Sequence, residues 1–237
     1  MRILLIGYGQ MGQAIEQYAL SINHKIAGIV NIDNPEDLRN YNSNNADVAI
    51  EFTQPDCAFD NIKTSLDNGI PIVSGTTGWL ARHQEIVDHA ENVGGTFLYA
   101  SNFSLGVNIF FKLNKWLAQL MQNHSSYKPT IEEIHHSRKK DAPSGTAITV
   151  AEGIIDQFSY LHDWSLDKST EGKVRIDSLR QGDVPGIHTV NYKSDVDSIR
   201  IRHEAFSRQG FVMGAVLVAE WIRDKKGVFT MDDFLGL

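Results

Sequence analysis

Five of six consecutive positions carry basic side chains, in a chain whose formal net charge is -7. This basic cluster comprises His135, His136, Arg138, Lys139 and Lys140. A turn follows, and then Ser144, a typical helix-capping residue, precedes an apolar run that predicts a helix. Gly145 and Thr146 would present free backbone N–H groups at the start of that helix. Basic side chains beside a helix N-terminus predict a binding site for a small anion, a carboxylate or a phosphate. A solvated charged loop is the alternative that this stretch alone leaves open.

A glycine-rich turn follows the first apolar segment, residues 2–6, which predicts a strand buried on both faces. The turn has the pattern G-x-G-x-x-G and consists of Gly7, Tyr8, Gly9, Gln10, Met11 and Gly12. Between a strand and a helix, the first glycine permits the turn, the second lets a pyrophosphate approach, and the third lets helix and strand pack. We therefore predict a dinucleotide site here, with a plain glycine-rich turn as the alternative.

The residues after the second predicted strand, 25–30, bear on the choice of nicotinamide cofactor. An acidic residue about twenty positions beyond the glycines binds the ribose of NAD, whereas arginine favours the 2′-phosphate of NADP. Asp33 lies near that place, Asn31 is the other strand-end candidate, and Arg39 is further downstream. NADH and NADPH both stay open, and the residue types favour NADH.

Strand-like and helix-like segments alternate through the first hundred residues. Further strands are predicted at 47–52, 70–74 and 96–100, with helices at 56–68 and 80–92. This alternation predicts an α/β fold with an N-terminal Rossmann-like, doubly wound parallel sheet. Because such sheets bind ligands at the carboxyl ends of their strands, three strand ends are site candidates, with simple turn chemistry as the alternative. They contain Glu51, Thr53, Ser74, Gly75, Thr76, Thr77, Ala100, Ser101, Asn102 and Phe103.

The pattern changes after Phe103. Ser104 is a predicted cap for a long helix whose apolar residues recur at spacings of three and four, and both Trp116 and Met121 are predicted to lie in the core. A strand over 130–136 then places Glu133 and His135 on one face.

The remaining sequence predicts strands at 174–180, 187–192 and 198–206, which we interpret as antiparallel, and a final helix at 211–223. The second half is therefore predicted to be a smaller α+β domain with a mixed or antiparallel sheet.

Composition narrows the functional class. Of 237 residues, 42% are hydrophobic and 22% are charged, as in ordinary globular proteins. The acidic balance without a long basic stripe argues against nucleic acid, and no apolar run is long enough for a membrane span. The single cysteine, Cys57, excludes an intrachain disulfide and fits a reducing compartment. We expect a cytoplasmic protein without a signal peptide.

The stretch from Glu133 to Thr146 closely resembles E-x-H-H-x-x-K-x-D-A-P-S-G-T, the signature of the bacterial dihydrodipicolinate reductases. Further stretches in the family's order begin at Gly7, Ser74, Asn102, Arg180 and Phe211, so the resemblance covers essentially the whole chain. The glycine loop is one residue shorter than in many members. Many members also carry an acidic residue and an arginine where this chain has Asn31 and Asp33.

The resemblance implies reduction of 4-hydroxy-tetrahydrodipicolinate to tetrahydrodipicolinate with NADH or NADPH and loss of water, on the diaminopimelate route to lysine. It implies His135 as proton donor and Lys139 as a second donor, with substrate carboxylates held by His136, Gly145 and Thr146, beside Ser144. It implies a pyrophosphate on residues 7–12, and a nicotinamide lined by Gly75, Thr76, Thr77 and residues 100–103. It also implies a homotetramer, a dinucleotide-binding domain of residues 1–103 completed by 208–237, and a substrate-binding and oligomerisation domain of residues 104–207.

Other functions are weaker interpretations. A metal site at His135 and His136 lacks a third ligand at a familiar spacing, and we interpret His188 and His203 as structural. Another two-domain dehydrogenase for an amino-acid-like substrate is one rival. A redox sensor that binds NADH and DNA is the other, and it lacks a basic helix-turn-helix pattern.

Overall fold

The computed structural model describes residues 1–167 and 171–236. The backbone forms two compact units, the first from Met1–Leu105 with Gln209–Leu237, and the second from Gly106–Arg208. Each unit has its own sheet and its own hydrophobic core. Among the described residues, no helix combines the length and the hydropathy that a membrane crossing requires.

The first unit contains a six-stranded, fully parallel sheet. Its strands are β1 (Arg2–Ile6), β2 (Lys25–Val30), β3 (Val48–Glu51), β4 (Ile72–Ser74), β5 (Thr96–Tyr99) and β11 (Gly227–Phe229), in the spatial order β11-β5-β4-β3-β1-β2. Its helices are α1 (Gln10–Ser21), α2 (Pro55–Asp67), α3 (His83–Asn92), α6 (Gln209–Ile222) and α7 (Met231–Leu235). The predicted Rossmann-like class is confirmed.

Both faces of this sheet are buried, which explains why β1 is apolar at consecutive positions. Ile3 and Leu5 pack in one core with residues of α1 and α6, and Leu4 and Ile6 pack in the other with residues of α2 and α3. Each such side chain contributes about 1.5–3 kcal/mol when fully buried. The sheet is therefore a rigid base for the residues that follow its strands.

The strand ends are joined laterally by backbone hydrogen bonds. The N–H of Gly7 donates to Val30, that of Phe52 to Ile6, that of Gly75 to Glu51 and that of Ala100 to Ser74, at 2.8–3.1 Å. Because these bonds continue the ladder past the last strand residues, the turns that carry the predicted ligand residues have fixed positions.

The second unit contains a five-stranded mixed sheet covered on one face by helices. Its elements are α4 (Leu105–Met121), β6 (Lys128–His135), α5 (Gly145–Ile155), β7 (Asp163–Ser165), β8 (Lys173–Arg180), β9 (Gly186–Lys193) and β10 (Ser198–Ala205). The spatial order is β10-β9-β6-β8-β7. The predicted mixed sheet is confirmed, and β6 occupies its centre.

The direction predicted for β8 is wrong, since β8 runs parallel to β6, whereas β9 and β10 are antiparallel as predicted. Alternation of apolar residues carries no direction. The connection from β6 contains α5, and such a crossover permits parallel pairing. The short elements β7, β11 and α7 were not predicted, because three to five residues are too few for a periodicity.

The buried face of α4 also differs from the prediction. Met121 is buried as expected, but Trp116 is 61% exposed. Leu113 and Leu120, on the same stripe, are also exposed. The buried face instead includes Asn114, whose amide donates to the carbonyl of Val150 at 2.9 Å. The predicted core position of Trp116 is thus wrong, because the most regular apolar stripe is not the one that packs on the sheet.

Candidate active site

A cleft of about 610 Å³ opens at the carboxyl ends of β1, β2 and β3. We call it the glycine cleft, because the glycine turn forms one wall. Of the residues predicted to bind a cofactor, it is lined by Gly7, Tyr8, Gly9, Asn31 and Asp33. A cleft at this edge is where parallel α/β sheets bind their ligands.

The three glycines of the turn have three different physical requirements. Gly7 has φ +94°, and a Cβ there would lie 2.0 Å from the carbonyl oxygen of Phe52. A Cβ on Gly12 would lie 2.2 Å from the carbonyl oxygen of Gly7, so this glycine permits the close helix contact. Gly9 faces open space, with no atom within 4 Å of an added Cβ. This is the arrangement that an approaching pyrophosphate needs.

The start of α1 suits an anion. Gly9 is its N-cap and has no side chain that could accept from the N–H groups of the first turn, and this turn contains no acidic residue. These N–H groups and the helix dipole favour negative charge at this end. The residues present therefore fit the phosphates of a dinucleotide.

The other predicted cofactor residues have mixed surroundings. Thr77 and Ser101 are exposed, Met11 is half-buried, and Ala100, Asn102 and Phe103 are buried. A Cβ on Gly75 would lie 2.1 Å from the ring of Phe52, so this glycine is required by packing within the first unit.

Glu51 forms a buried hydrogen-bond centre beneath these strand ends. It is 0% exposed and accepts hydrogen bonds from the hydroxyls of Thr53, Ser74 (2.6 Å) and Thr76 (2.7 Å). Thr76 also accepts from the N–H of Thr53 at 2.7 Å. The hydroxyl of Thr76 is thus engaged inside the protein, and Glu51 has a structural role that its strand-end position did not distinguish from ligand binding.

The rim of the glycine cleft is acidic. Asp33 and Asp56 are the charged residues among those that line it. Asn31 accepts a hydrogen bond from the N–H of Asp33 at 2.7 Å, which shapes the turn after β2. Arg39 is exposed and lies 3.1 Å from Glu36, its ion-pair partner.

In the second unit, four polar residues stand opposite one another across four adjacent strands. The register pairs His203 of β10 with His188 of β9, His188 with Glu133 of β6, and Glu133 with Ser178 of β8. His135 follows two positions after Glu133 on the same buried face, as predicted from the alternation. Neither His188 nor Ser178 could be linked to Glu133 from spacing, because only the sheet register brings them together.

Glu133 is 0% exposed, and its two carboxylate oxygens have different partners. Oε1 accepts from the backbone N–H of Ser144 at 3.0 Å and from the hydroxyl of Ser178 at 2.5 Å, and lies 3.4 Å from Arg180 Nη2. Oε2 lies 3.1 Å from His135 Nδ1 and 3.8 Å from His188 Nε2. The contact to His135 has ion-pair distance but is not aligned as a hydrogen bond.

The surroundings of Glu133 and His188 determine the charge that each of these two buried residues carries. Burial would raise the pKa of Glu133, but the nearby ring of His135 and the hydrogen bonds from Ser144 and Ser178 outweigh it and hold the pKa well below the usual range. Burial, with the neighbouring His135, lowers the pKa of His188 to about 3. Glu133 is therefore ionised and His188 neutral near pH 7.

Arg180 binds the backbone of the loop that carries the basic cluster. The sequence pattern assigned no role to this residue. Its guanidinium donates to the backbone carbonyls of Lys139 (3.3 Å) and Asp141 and also lies beside Glu133. Lys139 Nζ is bound by both carboxylate oxygens of Asp141, at 2.8 and 2.7 Å. Arg180 thus joins the loop that carries Lys139 to the buried carboxylate.

The other members of the basic cluster are more open. Arg138 pairs with Asp183 at 2.8 Å on the surface, and Lys140 is exposed. Burial, with Arg138 nearby, lowers the pKa of His136.

The start of α5 has the predicted form. Ser144 is the N-cap, and its hydroxyl accepts from the N–H of Ala147 at 3.2 Å. The same hydroxyl lies 3.2 Å from His188 Nε2, and Ser144 is 3% exposed, so its side chain is engaged inside the protein. Gly145 is exposed, with open space around its α-carbon, and Thr146 is half-buried. The exposed N–H groups at this helix start can bind a carboxylate.

Glu133, His135 and His188 place ligand atoms within 4.8 Å of one another, which is close enough for a metal ion. The sequence has no third ligand at a familiar spacing from His135 and His136, but the fold brings Glu133 and His188 close to His135. The guanidinium of Arg180, 3.4 Å from Glu133, opposes a cation at this place.

The parallel sheet, glycine turn and anion-binding helix start define a dinucleotide-binding enzyme class, and comparison with known proteins refines this. The solved structure of a dipicolinate-bound dihydrodipicolinate reductase from Paenisporosarcina sp. TG-14 has the same fold, with a TM-score of 0.76, 23% identity and 97% of each chain covered. A DAP dehydrogenase of C. glutamicum is more distant, with a TM-score of 0.56, 12% identity, and 100% of this chain and 98% of that chain covered.

The chain belongs to the dihydrodipicolinate reductase family. The family model for the N-terminus matches residues 1–103 and that for the C-terminus matches residues 106–235. A 4-hydroxy-tetrahydrodipicolinate reductase of Christiangramia forsetii is 49% identical, covering 100% of this chain and 98% of that protein. The enzyme of that name from Methanocaldococcus jannaschii is 38% identical over 201 residues, covering 81% of this chain and 72% of the relative.

Proposed function

We propose that this chain is a 4-hydroxy-tetrahydrodipicolinate reductase of lysine and diaminopimelate biosynthesis. It takes up one proton and one hydride, releases the 4-hydroxyl as water and forms tetrahydrodipicolinate. The observation that carries the proposal is the buried contact between Glu133 and His135, the first residue of the basic cluster, in a chain with 49% identity to a reductase of that name.

His135 has the role of proton donor. Hydride addition next to the ring imine of the substrate builds negative charge, and histidine can supply a proton near neutral pH. Oε2 of the ionised Glu133 lies 3.1 Å from ring nitrogen Nδ1 of His135, so a carboxylate faces one side of the donor ring. His135 thereby balances the charge that the reduction creates.

Lys139 and the start of α5 bind the two substrate carboxylates. The ammonium of Lys139 is partly exposed and already binds carboxylate oxygens of Asp141, a geometry that a substrate carboxylate can share or replace. Gly145 and Thr146 supply backbone N–H groups, His136 is the further predicted carboxylate contact, and Ser144 positions the helix start. Lys139 also stabilises charge in the transition state.

The nicotinamide cofactor supplies the hydride when it is bound. Gly7, Gly9 and the start of α1 hold its pyrophosphate, and Tyr8, Gln10, Met11 and Gly12 complete that turn. The predicted nicotinamide residues are Gly75, Thr76, Thr77, Ala100, Ser101, Asn102 and Phe103. Of these, Thr76 contributes through its backbone, since its hydroxyl binds Glu51.

NADH is the preferred cofactor in this proposal. A 2′-phosphate requires cationic partners, and the charged residues lining the glycine cleft are Asp33 and Asp56. Parallel titrations with the two cofactors test this preference. NADH should bind about tenfold or more tightly than NADPH, and Asp33→Ala should reduce this difference in affinity. Tighter binding of NADPH would contradict the preference.

The enzyme acts in the cytoplasm as a homotetramer, without nucleic-acid or membrane partners. An apolar stripe on α4 supports association, since Ile109, Leu113, Trp116 and Leu120 are 41–61% exposed in the single chain. Light scattering after gel filtration should give four times the chain mass. A monomer at micromolar concentration would contradict the oligomeric assignment.

The activity itself is tested by mixing the protein with NADH or NADPH and the freshly condensed product of pyruvate and aspartate semialdehyde. Oxidation of the cofactor should depend on that product. Oxidation with an amino-acid-like substrate instead would favour a different dehydrogenase, and cofactor binding without any turnover would contradict the reductase.

A further inference from the structure

We propose that Glu133 is the positioning residue of His135: its Oε2 holds ring nitrogen Nδ1 so that the opposite nitrogen, Nε2, is presented for proton transfer. The inference rests on the proposed function and adds to it a residue that acts through the proton donor. The two oxygens of Glu133, the other side of the His135 ring and the charges around it each support this assignment.

The carboxylate is fixed in orientation by one of its oxygens. Oε1 is bound by Ser144, by Ser178 and by Arg180, which come from the start of α5 and from β8. Rotation of the carboxylate would break these contacts in a fully buried place and leave polar groups unpaired. Oε2 is thereby held 3.1 Å from His135 Nδ1.

The other side of the ring is kept clear by a glycine. A Cβ on Gly186, at the start of β9, would lie 3.1 Å from His135 Nε2 and 3.4 Å from its Cδ2. The ring of His188 packs at 5.0 Å, edge-to-face, and restricts tilting of the imidazole. His135 therefore has one nitrogen at a carboxylate and the other beside a position without a side chain.

The charges around His135 leave Glu133 as its anionic partner. His188 of β9 stays neutral because burial lowers its pKa to about 3, and His203 of β10 lies beyond it. Arg180 of β8 contacts the opposite oxygen of Glu133, and Lys139 is paired with Asp141. A hydrogen bond made by one ring nitrogen sets the protonation of the other. Glu133 thus favours a proton on Nδ1 in the neutral ring and leaves Nε2 as the nitrogen that exchanges a proton with the substrate.

The test compares Glu133→Gln with Glu132→Gln. Glu132 precedes Glu133 on β6 but is exposed on the opposite face, so its variant is a matched control. Glu133→Gln should lower kcat about 10²-fold with little change in KM, and the high-pH limb of the rate profile should move to lower pH, since the donor proton is held less tightly. Glu132→Gln should match the unmodified protein in all three. Glu133→Asp, which keeps the charge, should recover part of kcat.

A second readout does not depend on turnover. Nitrogen NMR of the His135 ring, identified by the signals lost in His135→Gln, should show Nδ1–H in the neutral ring, and Glu133→Gln should increase the Nε2–H form. An unchanged ring spectrum and pH profile in Glu133→Gln would overturn the proposal, as would a loss of activity explained by the unfolded fraction alone. If Glu133→Gln does not fold, Ser178→Ala and Glu133→Asp provide the same comparison, and unchanged spectra in both would overturn it.

Failure of the proposed function has a different signature. Unmodified protein without turnover would contradict the reductase but would leave the tautomer measurement intact. Full turnover with an Nε2–H ring would contradict the positioning role alone.

Discussion

Two glutamates, Glu51 in the first unit and Glu133 in the second, are both completely buried near the carboxyl end of a strand, but their partners differ. Glu51 is bound by three neutral hydroxyls, and no cationic side chain binds it in the part of the chain that the structure describes. Glu133 has a saturated Oε1, and its Oε2 faces two imidazoles. A buried carboxylate can therefore be a structural centre in one unit and a partner of a titrating group in the other.

The difference shows how each candidate site is built. The glycine cleft depends on backbone shape: Gly7 and Gly12 make the turn possible, Gly9 leaves space, and Glu51 joins the turns beside them. The second unit depends on charge, because Glu133 and Arg180 connect β6, β8 and the loop of Lys139. We expect shape changes to alter cofactor binding and charge changes to alter chemistry.

The largest effect is expected at the proton donor. His135→Gln should reduce kcat by about 10²–10⁴-fold, because general acid catalysis contributes that much, while cofactor affinity stays unchanged. Steady-state kinetics and cofactor titration measure both, and exposed His124→Gln is the matched control. An unchanged kcat would contradict the role of His135 as proton donor. Glu133 would then be a structural residue like Glu51.

Loss of the ammonium at Lys139 should be next in size. Lys139→Ala should lower kcat about 10²–10³-fold and also weaken substrate binding, since one group stabilises both ground-state and transition-state charge. Lys140→Ala removes a neighbouring exposed ammonium and should change little. If Lys139→Ala impaired only cofactor affinity, the assignment of cofactor binding to the glycine cleft and of chemistry to the charged residues of the second unit would be contradicted.

A pair of glycine variants tests the shape-dependent site. Gly9→Ala has space for the added methyl, so it should fold normally but bind cofactor about tenfold or more weakly, because the methyl occupies the approach of the pyrophosphate. Gly7→Ala would place a Cβ 2.0 Å from Phe52, with φ +94°, so it should be destabilised. Thermal unfolding and cofactor titration separate the two outcomes, and unchanged affinity in Gly9→Ala would argue against this binding position.

The smallest effect concerns the folding stability that His188 and Glu133 contribute as the pH falls. The pKa of His188 is about 3 in the folded protein, below its ordinary 6.5, so between these values the unfolded chain binds a proton that the folded chain does not. Folding stability should therefore fall as pH falls through this window, by up to about 1.4 kcal/mol per pH unit from this residue. The lowered pKa of Glu133 acts in the same direction below its ordinary 4.5. Urea unfolding between about pH 7 and pH 5 should show a shallower decline in His188→Gln, and equal slopes would contradict the account.

Sequence patterns predicted the first unit better than the second for a physical reason. Consecutive apolar residues such as Ile3 to Ile6 report burial on both faces, and a glycine turn in that context has few uses. The alternation that placed Glu133 and His135 on one face also held. It could not give the direction of β8, nor the register that brings Ser178 and His188 to Glu133, because both depend on strands that are distant in the chain.

Trp116 and Thr76 show two further limits. The stripe containing Trp116 has helical spacing, but periodicity does not say which of two apolar faces meets the sheet. Thr76 stands at a strand end, yet its hydroxyl turns inward to Glu51, and only the neighbouring strand reveals that acceptor.

Isotope transfer tests the proposed reaction most directly. The protein would be incubated with 4-hydroxy-tetrahydrodipicolinate and NADH carrying deuterium at C4, on each face in turn, and the product analysed by mass spectrometry. We predict that one of the two labelled forms yields tetrahydrodipicolinate that is one mass unit heavier, because the hydride passes directly to the substrate. Unlabelled product from both forms, or cofactor oxidation without tetrahydrodipicolinate, would contradict the proposed reductase.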